Sequence, residues 1–107
     1  MTDDNVSRVE SLKDLVNYQD GSIVSREIIR KSTGTVTIFA FDKGQGLSEH
    51  TAPFDALITI LDGEAEVTIA GQAYQMEQGQ MVILPANKTH ALKALSKFKM
   101  LLVMIRS

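Results

Sequence analysis

Residues Gly44–Gly63 read GQGLSEHTAPFDALITILDG, and residues Gly79–His90 read GQMVILPANKTH. In the first stretch Gly44, five residues, His50, one residue, Ala52, three residues, Ala56, six residues and Gly63 mark a fixed spacing. In the second, Gly79, Pro85, Asn87 and His90 punctuate the chain, with Ala94 following. Glycine, proline and asparagine at such points belong to turns, and the short aliphatic and β-branched runs between them belong to strands.

Working outward, the same alternation continues. Ser22–Arg30 and Thr35–Asp42 flank a turn at Ser32–Gly34, and further strands are predicted over Leu57–Leu61, Glu64–Ala70, Gln72–Glu77, Gln80–Leu84, His90–Leu95 and Phe98–Ile105. Many short strands at close spacing predict an all-β sandwich or barrel. Ser11–Val16 is the one helical piece, with Ser11 placed to cap it and Asp14 suited to its positive end. Asp20-Gly21 then stops the chain before the strands begin.

At 107 residues the chain supports one core. The organisation expected is a polar tail over residues 1–10 and a single barrel over residues 11–107, with no repeat or linker. The net charge of -2 argues against nucleic acid as a partner. No apolar run suits a membrane span, and the start Thr2-Asp3-Asp4-Asn5 is unlike a signal peptide, so no membrane partner and a cytoplasmic location are expected. Without cysteine there are no disulfides, thiolate ligands or Cys nucleophile. Acids gather between Asp42 and Gly79 and bases between Gln80 and the end, a separation that side-by-side pairing of early and late strands would largely cancel.

Two kinds of strand are distinguishable. Glu64–Ile69 alternates, with Ala65, Val67 and Ile69 facing a core and Glu64, Glu66 and Thr68 facing water. Met100–Ile105 and much of Val36–Phe41 are apolar on both faces, so each needs a second cover. A second copy of the chain is the expected cover, which makes a homodimer; the alternative is the N-terminal segment through Leu12, Leu15 and Val16.

The two punctuated stretches resemble the two motifs of the cupins, G-x5-H-x-H-x3-E-x6-G and G-x5-P-x-G-x2-H-x3-N. The resemblance implies a jelly-roll barrel (a double-stranded β-helix) with the short helix outside it, and small members of that family commonly pair sheet to sheet. It also implies metal ligands at the two histidines and glutamate of the first motif and at the histidine of the second. Here those places hold His50, Ala52, Ala56 and His90. Asn87 and Ala94 stand where the second motif has glycine and asparagine.

His50 and His90 are the only histidines. Strand parity puts His50 with Ala52, Ala56 with Ile58 and Ile60, and His90 with Leu92 and Ala94 on inward faces. The expected ligand pocket is therefore His50, Ala52, Ala56, Ile58, Ile60, His90 and Leu92, joined by Met81, with Met76, Met100 and Met104 filling gaps elsewhere. Catalytic zinc or iron takes three protein ligands, and Asp55 and Glu49 are each one residue out of phase. No cofactor is expected beyond a weakly held divalent zinc, nickel or iron on His50 and His90.

The reading reached is a metal-poor small-molecule-binding cupin, with no catalytic residue assigned. Two alternatives stay open. One is a metal-independent isomerase or epimerase with a pocket histidine as acid or base. The other is a weakly metal-dependent dioxygenase or isomerase. The metal-independent enzymes pair the histidine with a carboxylate or tyrosine, and the sequence places neither Tyr18 nor Tyr74 near His50, Tyr74 reading better as core. Arg26, Arg30 and Lys31 read as solvated edge residues that could also rim a pocket.

Overall fold

The computed structural model describes residues 7–106, so most of the polar tail expected over residues 1–10 lies outside the described residues. Nine strands follow one N-terminal turn: β1 Ile23–Lys31, β2 Gly34–Phe41, β3 Gly46–His50, β4 Asp55–Asp62, β5 Glu64–Ile69, β6 Gln72–Glu77, β7 Met81–Leu84, β8 His90–Ala94 and β9 Phe98–Ile105. They form a five-stranded sheet in the order β1-β2-β9-β4-β7 and a four-stranded sheet in the order β3-β8-β5-β6. Every strand pair is antiparallel. This is the all-β jelly roll expected from the turn spacing.

The expected helix is a single 3-10 turn over Leu12–Leu15, and Ser11 makes no side-chain cap. Six residues cannot recover the cost of nucleating an α-helix, so the backbone closes one tight turn through Asp14 N–H to Ser11 C=O at 3.0 Å and moves on.

The core lies between the sheets. Phe41, Ile58, Ile60, Ala65, Val67, Leu92, Phe98 and Met100 are buried there, and Phe41 stacks on Phe98 with ring centroids 4.5 Å apart. Gly63 turns β4 into β5 with φ +74°, and a side chain there would strike the Lys97 carbonyl. Asn87 sits at φ 65°, a left-handed conformation that asparagine tolerates, so it serves the turn where the motif has glycine.

Among the described residues, the outer face of the five-stranded sheet is covered over one half only. Val16, with Leu12, Leu15 and Tyr18, packs on Ile38 and Ala40 of β2 and on Val24, Ile28 and Leu61. Tyr18 donates its hydroxyl proton to Asp62 Oδ2 at 2.6 Å, and Lys99 Nζ donates to the Lys13 carbonyl at 2.6 Å beneath the Tyr18 ring. The N-terminal segment is thus strapped across β2, β9 and β4. Beyond it Ile29, Met81, Ile83 and Ile105 stay 45–61% exposed.

Charge separation is only partly balanced by pairing. The register sets Glu66 opposite Lys93 and Asp62 opposite Lys99. Neither makes a salt bridge; among the described residues those formed are Arg8–Glu10 and Arg30–Glu27. Tyr74, read from the sequence as core, is 45% exposed because β6 is the last strand of its sheet and nothing lies beyond it.

Candidate functional site

The site begins with an irregularity in β3. Leu47 pairs with Leu92 and His50 with His90, so β3 carries one residue more than β8 over the same interval. Three residues of regular strand would send Leu47 and His50 to opposite faces; the bulge at Ser48-Glu49 restores His50 to the inward face. His90 opens β8 directly opposite. The two rings meet edge to face with centroids 4.3 Å apart.

Each ring is oriented by the backbone carbonyl two residues before it. His50 Nδ1 lies 2.8 Å from the Ser48 carbonyl, and His90 Nδ1 lies 3.3 Å from the Lys88 carbonyl. A carbonyl only accepts, so both Nδ1 atoms carry the proton and, in the neutral rings, both Nε2 lone pairs are free. Burial, followed by the charge His50 would carry, pushes His90 below the ordinary imidazole value, against a smaller opposing effect of the Lys88 carbonyl. His90 is buried and His50 is exposed at the rim.

Both rings line an apolar cavity of about 80 Å³ between the sheets. Ala52, Ala56, Ile58 and Leu92 line it with them, as do Phe39, Leu47, Phe54, Leu84, Met100, Leu102 and Met104. Ile60 is not at its wall; it lies one inward position deeper along β4, 1% exposed in the packed core. Met81 is half exposed on the other face of the edge strand β7, so it does not reach the cavity. Met100 and Met104, expected to fill gaps elsewhere, are wall residues. Only part of the signal lay in the sequence: parity puts Met100, Leu102 and Met104 on one face with Phe98, and the pairing of β9 with both β2 and β4 is what turns that face inward.

Other candidates fall outside. Asp55 accepts a hydrogen bond from the Ala86 N–H at 2.8 Å and so braces the β7–β8 turn. Asn87 N–H donates to the Ala52 carbonyl at 2.8 Å, fixing the same turn against the first motif. Glu49 lies in the bulge and is exposed. Gln45 does not line the cavity, its backbone being held by Asp42 and Ala94. Tyr18 is on the outer face with Asp62, and Arg26, Arg30 and Lys31 are exposed on the edge strand β1. Arg106 stacks over Phe54, a cavity residue, at 4.9 Å.

A family profile described as "Cupin domain" matches residues 37–106, which span both motifs. This chain belongs to the cupin family. Among solved structures, the cupin is 37% identical to a conserved protein of unknown function from Streptococcus pyogenes, over 94% of this chain and 89% of that one, with a TM-score of 0.90. It is 40% identical to a cupin 2 conserved barrel domain protein from Leptotrichia buccalis, over 88% of this chain but 46% of that one, at a TM-score of 0.85. A cupin superfamily protein from Desulfitobacterium hafniense is 27% identical over 94% of this chain and 92% of that one, at 0.89. Among curated proteins none matches.

The divalent-metal centre that the cupin motifs imply does not fit this donor set. Among the described residues no three of His, Cys, Asp and Glu converge on one point. The places for the second motif-one histidine and the glutamate hold Ala52 and Ala56, and the nearest carboxylate, Asp55, is committed to Ala86. Two imidazoles alone fall short of the three protein ligands of a catalytic zinc.

Proposed function

We propose that this cupin is a binding module for a small ligand held between His50 and His90. The observation that carries the reading is the pair of free Nε2 lone pairs, each left by an Nδ1–H bond to a backbone carbonyl, at the wall of an otherwise apolar cavity. Convergent polar groups in an apolar concavity are the ordinary signature of a ligand site. Neutral imidazoles offer acceptors, so the ligand brings a donor such as a hydroxyl or an undissociated acid, or brings a positive charge. The volume of about 80 Å³ suits a molecule of a few heavy atoms, well below the roughly 300–1,000 Å³ of sites for larger ligands.

A catalytic reading is less well supported, because acid–base work needs a second group. Neither Tyr18 nor Tyr74 lines the cavity, and among the described residues no carboxylate does. We place the protein in the cytoplasm as a homodimer that uses the uncovered half of the five-stranded sheet. The test of the pocket is a screen of fragment-sized alcohols, phenols and acids by ligand-observed NMR. Binding that is lost in both His50→Ala and His90→Ala is expected. Fragments that bind both variants as well as the parent would place the site elsewhere.

A further inference from the structure

The geometry points to a soft monovalent cation, Cu(I), as a ligand of this pocket, held by His50 Nε2, His90 Nε2 and the Met104 thioether. The inference rests on the reading of the His50–His90 pocket as a ligand site and names its occupant. Its donors differ from the histidine–carboxylate set that the cupin motifs imply.

Three observations carry it. First, each imidazole gives its Nδ1 proton to a backbone carbonyl, at 2.8 Å for His50 and 3.3 Å for His90. Metal-binding histidines are commonly oriented in this way, with the second nitrogen left to coordinate. Second, Met104 is the register partner of Ala56 across β4 and β9, and both face the cavity. Directly opposed residues have Cβ atoms about 4.5–5.5 Å apart, and methionine has three rotatable bonds with which to extend. The place of the absent glutamate is therefore bordered by a thioether rather than by a carboxylate. Met100 lines the same wall as a second sulfur.

Third, the chemistry of the set discriminates. Imidazole serves copper as well as zinc, nickel and iron, but a thioether favours Cu(I), whereas zinc sites complete their ligand set with carboxylate, thiolate or a third imidazole. A Cu(I) ion is content with two or three soft donors in an apolar space, and among the described residues none lends the cavity a side-chain oxygen. Phe39, Leu102 and Leu92 make the wall around these donors apolar.

The test uses Ag(I) as a redox-inert probe, added to the full chain with methyl-labelled methionine and labelled histidine. One equivalent is expected to shift the Met104 methyl and both Nε2 resonances together and then saturate. Anaerobic Cu(I), in competition with a chromophoric chelator, is expected to bind with the same stoichiometry. Met104→Leu, a volume-conserving change, should weaken Ag(I) by about tenfold or more while Zn(II) changes by less than about twofold. Nε2 shifts without any methionine response would overturn the proposal, as would Zn(II) binding that outcompetes Cu(I). If Ag(I) leaves all these resonances unmoved while the fragments still bind in a His90-dependent way, the cation is wrong and the pocket stands. If neither binds, both fail.

Discussion

His50 and His90 stand directly opposite each other across β3 and β8, with ring centroids 4.3 Å apart, although one ring is exposed at the rim and the other is buried. The buried ring is hard to protonate, first because burial disfavours the charge and then because His50 would repel it. Its folded value lies below the unfolded one, near 6.5. The unfolded chain therefore takes up the proton first on acidification, so stability is fully present above about pH 6.5 and falls below it. His90→Gln should flatten the loss of thermal stability between about pH 7 and pH 5.5. An unchanged slope would mean that His90 is not sheltered as described.

Restoring the two missing motif residues should turn the pocket into a divalent-metal site. Ala52 and Ala56 both face the cavity with the histidines, so Ala52→His with Ala56→Glu brings four ligands together. Zinc or nickel affinity is expected to rise by several orders of magnitude, measured by chelator competition. A parent protein that keeps a stoichiometric divalent metal through dialysis against chelator would contradict the metal-poor reading.

The uncovered half of the outer sheet face predicts a second copy of the chain. Ile29, Met81, Ile83 and Ile105 are 45–61% exposed on strands of one sheet. Face-to-face pairing should bury about 1,200 Å² or more in total. Light scattering at micromolar concentration should report a dimer, and Ile83→Glu with Ile105→Glu should yield a monomer. A parent monomer would leave the N-terminal segment as the whole of the cover.

The N-terminal strap depends on one partly buried polar cluster. Burial, then the hydrogen bond and charge of Asp62, push the Tyr18 hydroxyl above its ordinary value of 10.0. A raised folded value means that this contribution is intact below about pH 10 and is lost as pH rises further. Tyr18→Phe removes the 2.6 Å bond to Asp62 and should cost about 0.5–1.5 kcal/mol. Hydrogen exchange at Leu12–Val16 should quicken before exchange in β2 does. Uniform quickening would show that the strap is not a separate unit.

Much of the fold was legible because its punctuation is local. Gly63 at φ +74° and Gly79 at φ +89° occupy conformations that other residues rarely adopt, and the sequence marks them plainly. What local pattern could not supply was pairing. Met104 enters the cavity only because β9 lies between β2 and β4, and a one-residue bulge decides where His50 points. Tyr74 shares a parity with Met76, yet only its place on the last strand of the sheet explains its exposure. The helix at Ser11–Val16 failed for a different reason: Ser11 makes no side-chain cap, and so short a segment does not offset the cost of nucleation.

The central claim is that His50 and His90 present their Nε2 atoms to one shared ligand. The most direct measurement is a ¹⁵N NMR spectrum of both imidazoles, recorded free and during titration with the best-binding fragment. The account predicts Nδ1 protonated on both rings before and after, and both Nε2 resonances moving together to saturation at one equivalent. Nε2 protonated on either ring, or a shift confined to His50 at the rim, would contradict it.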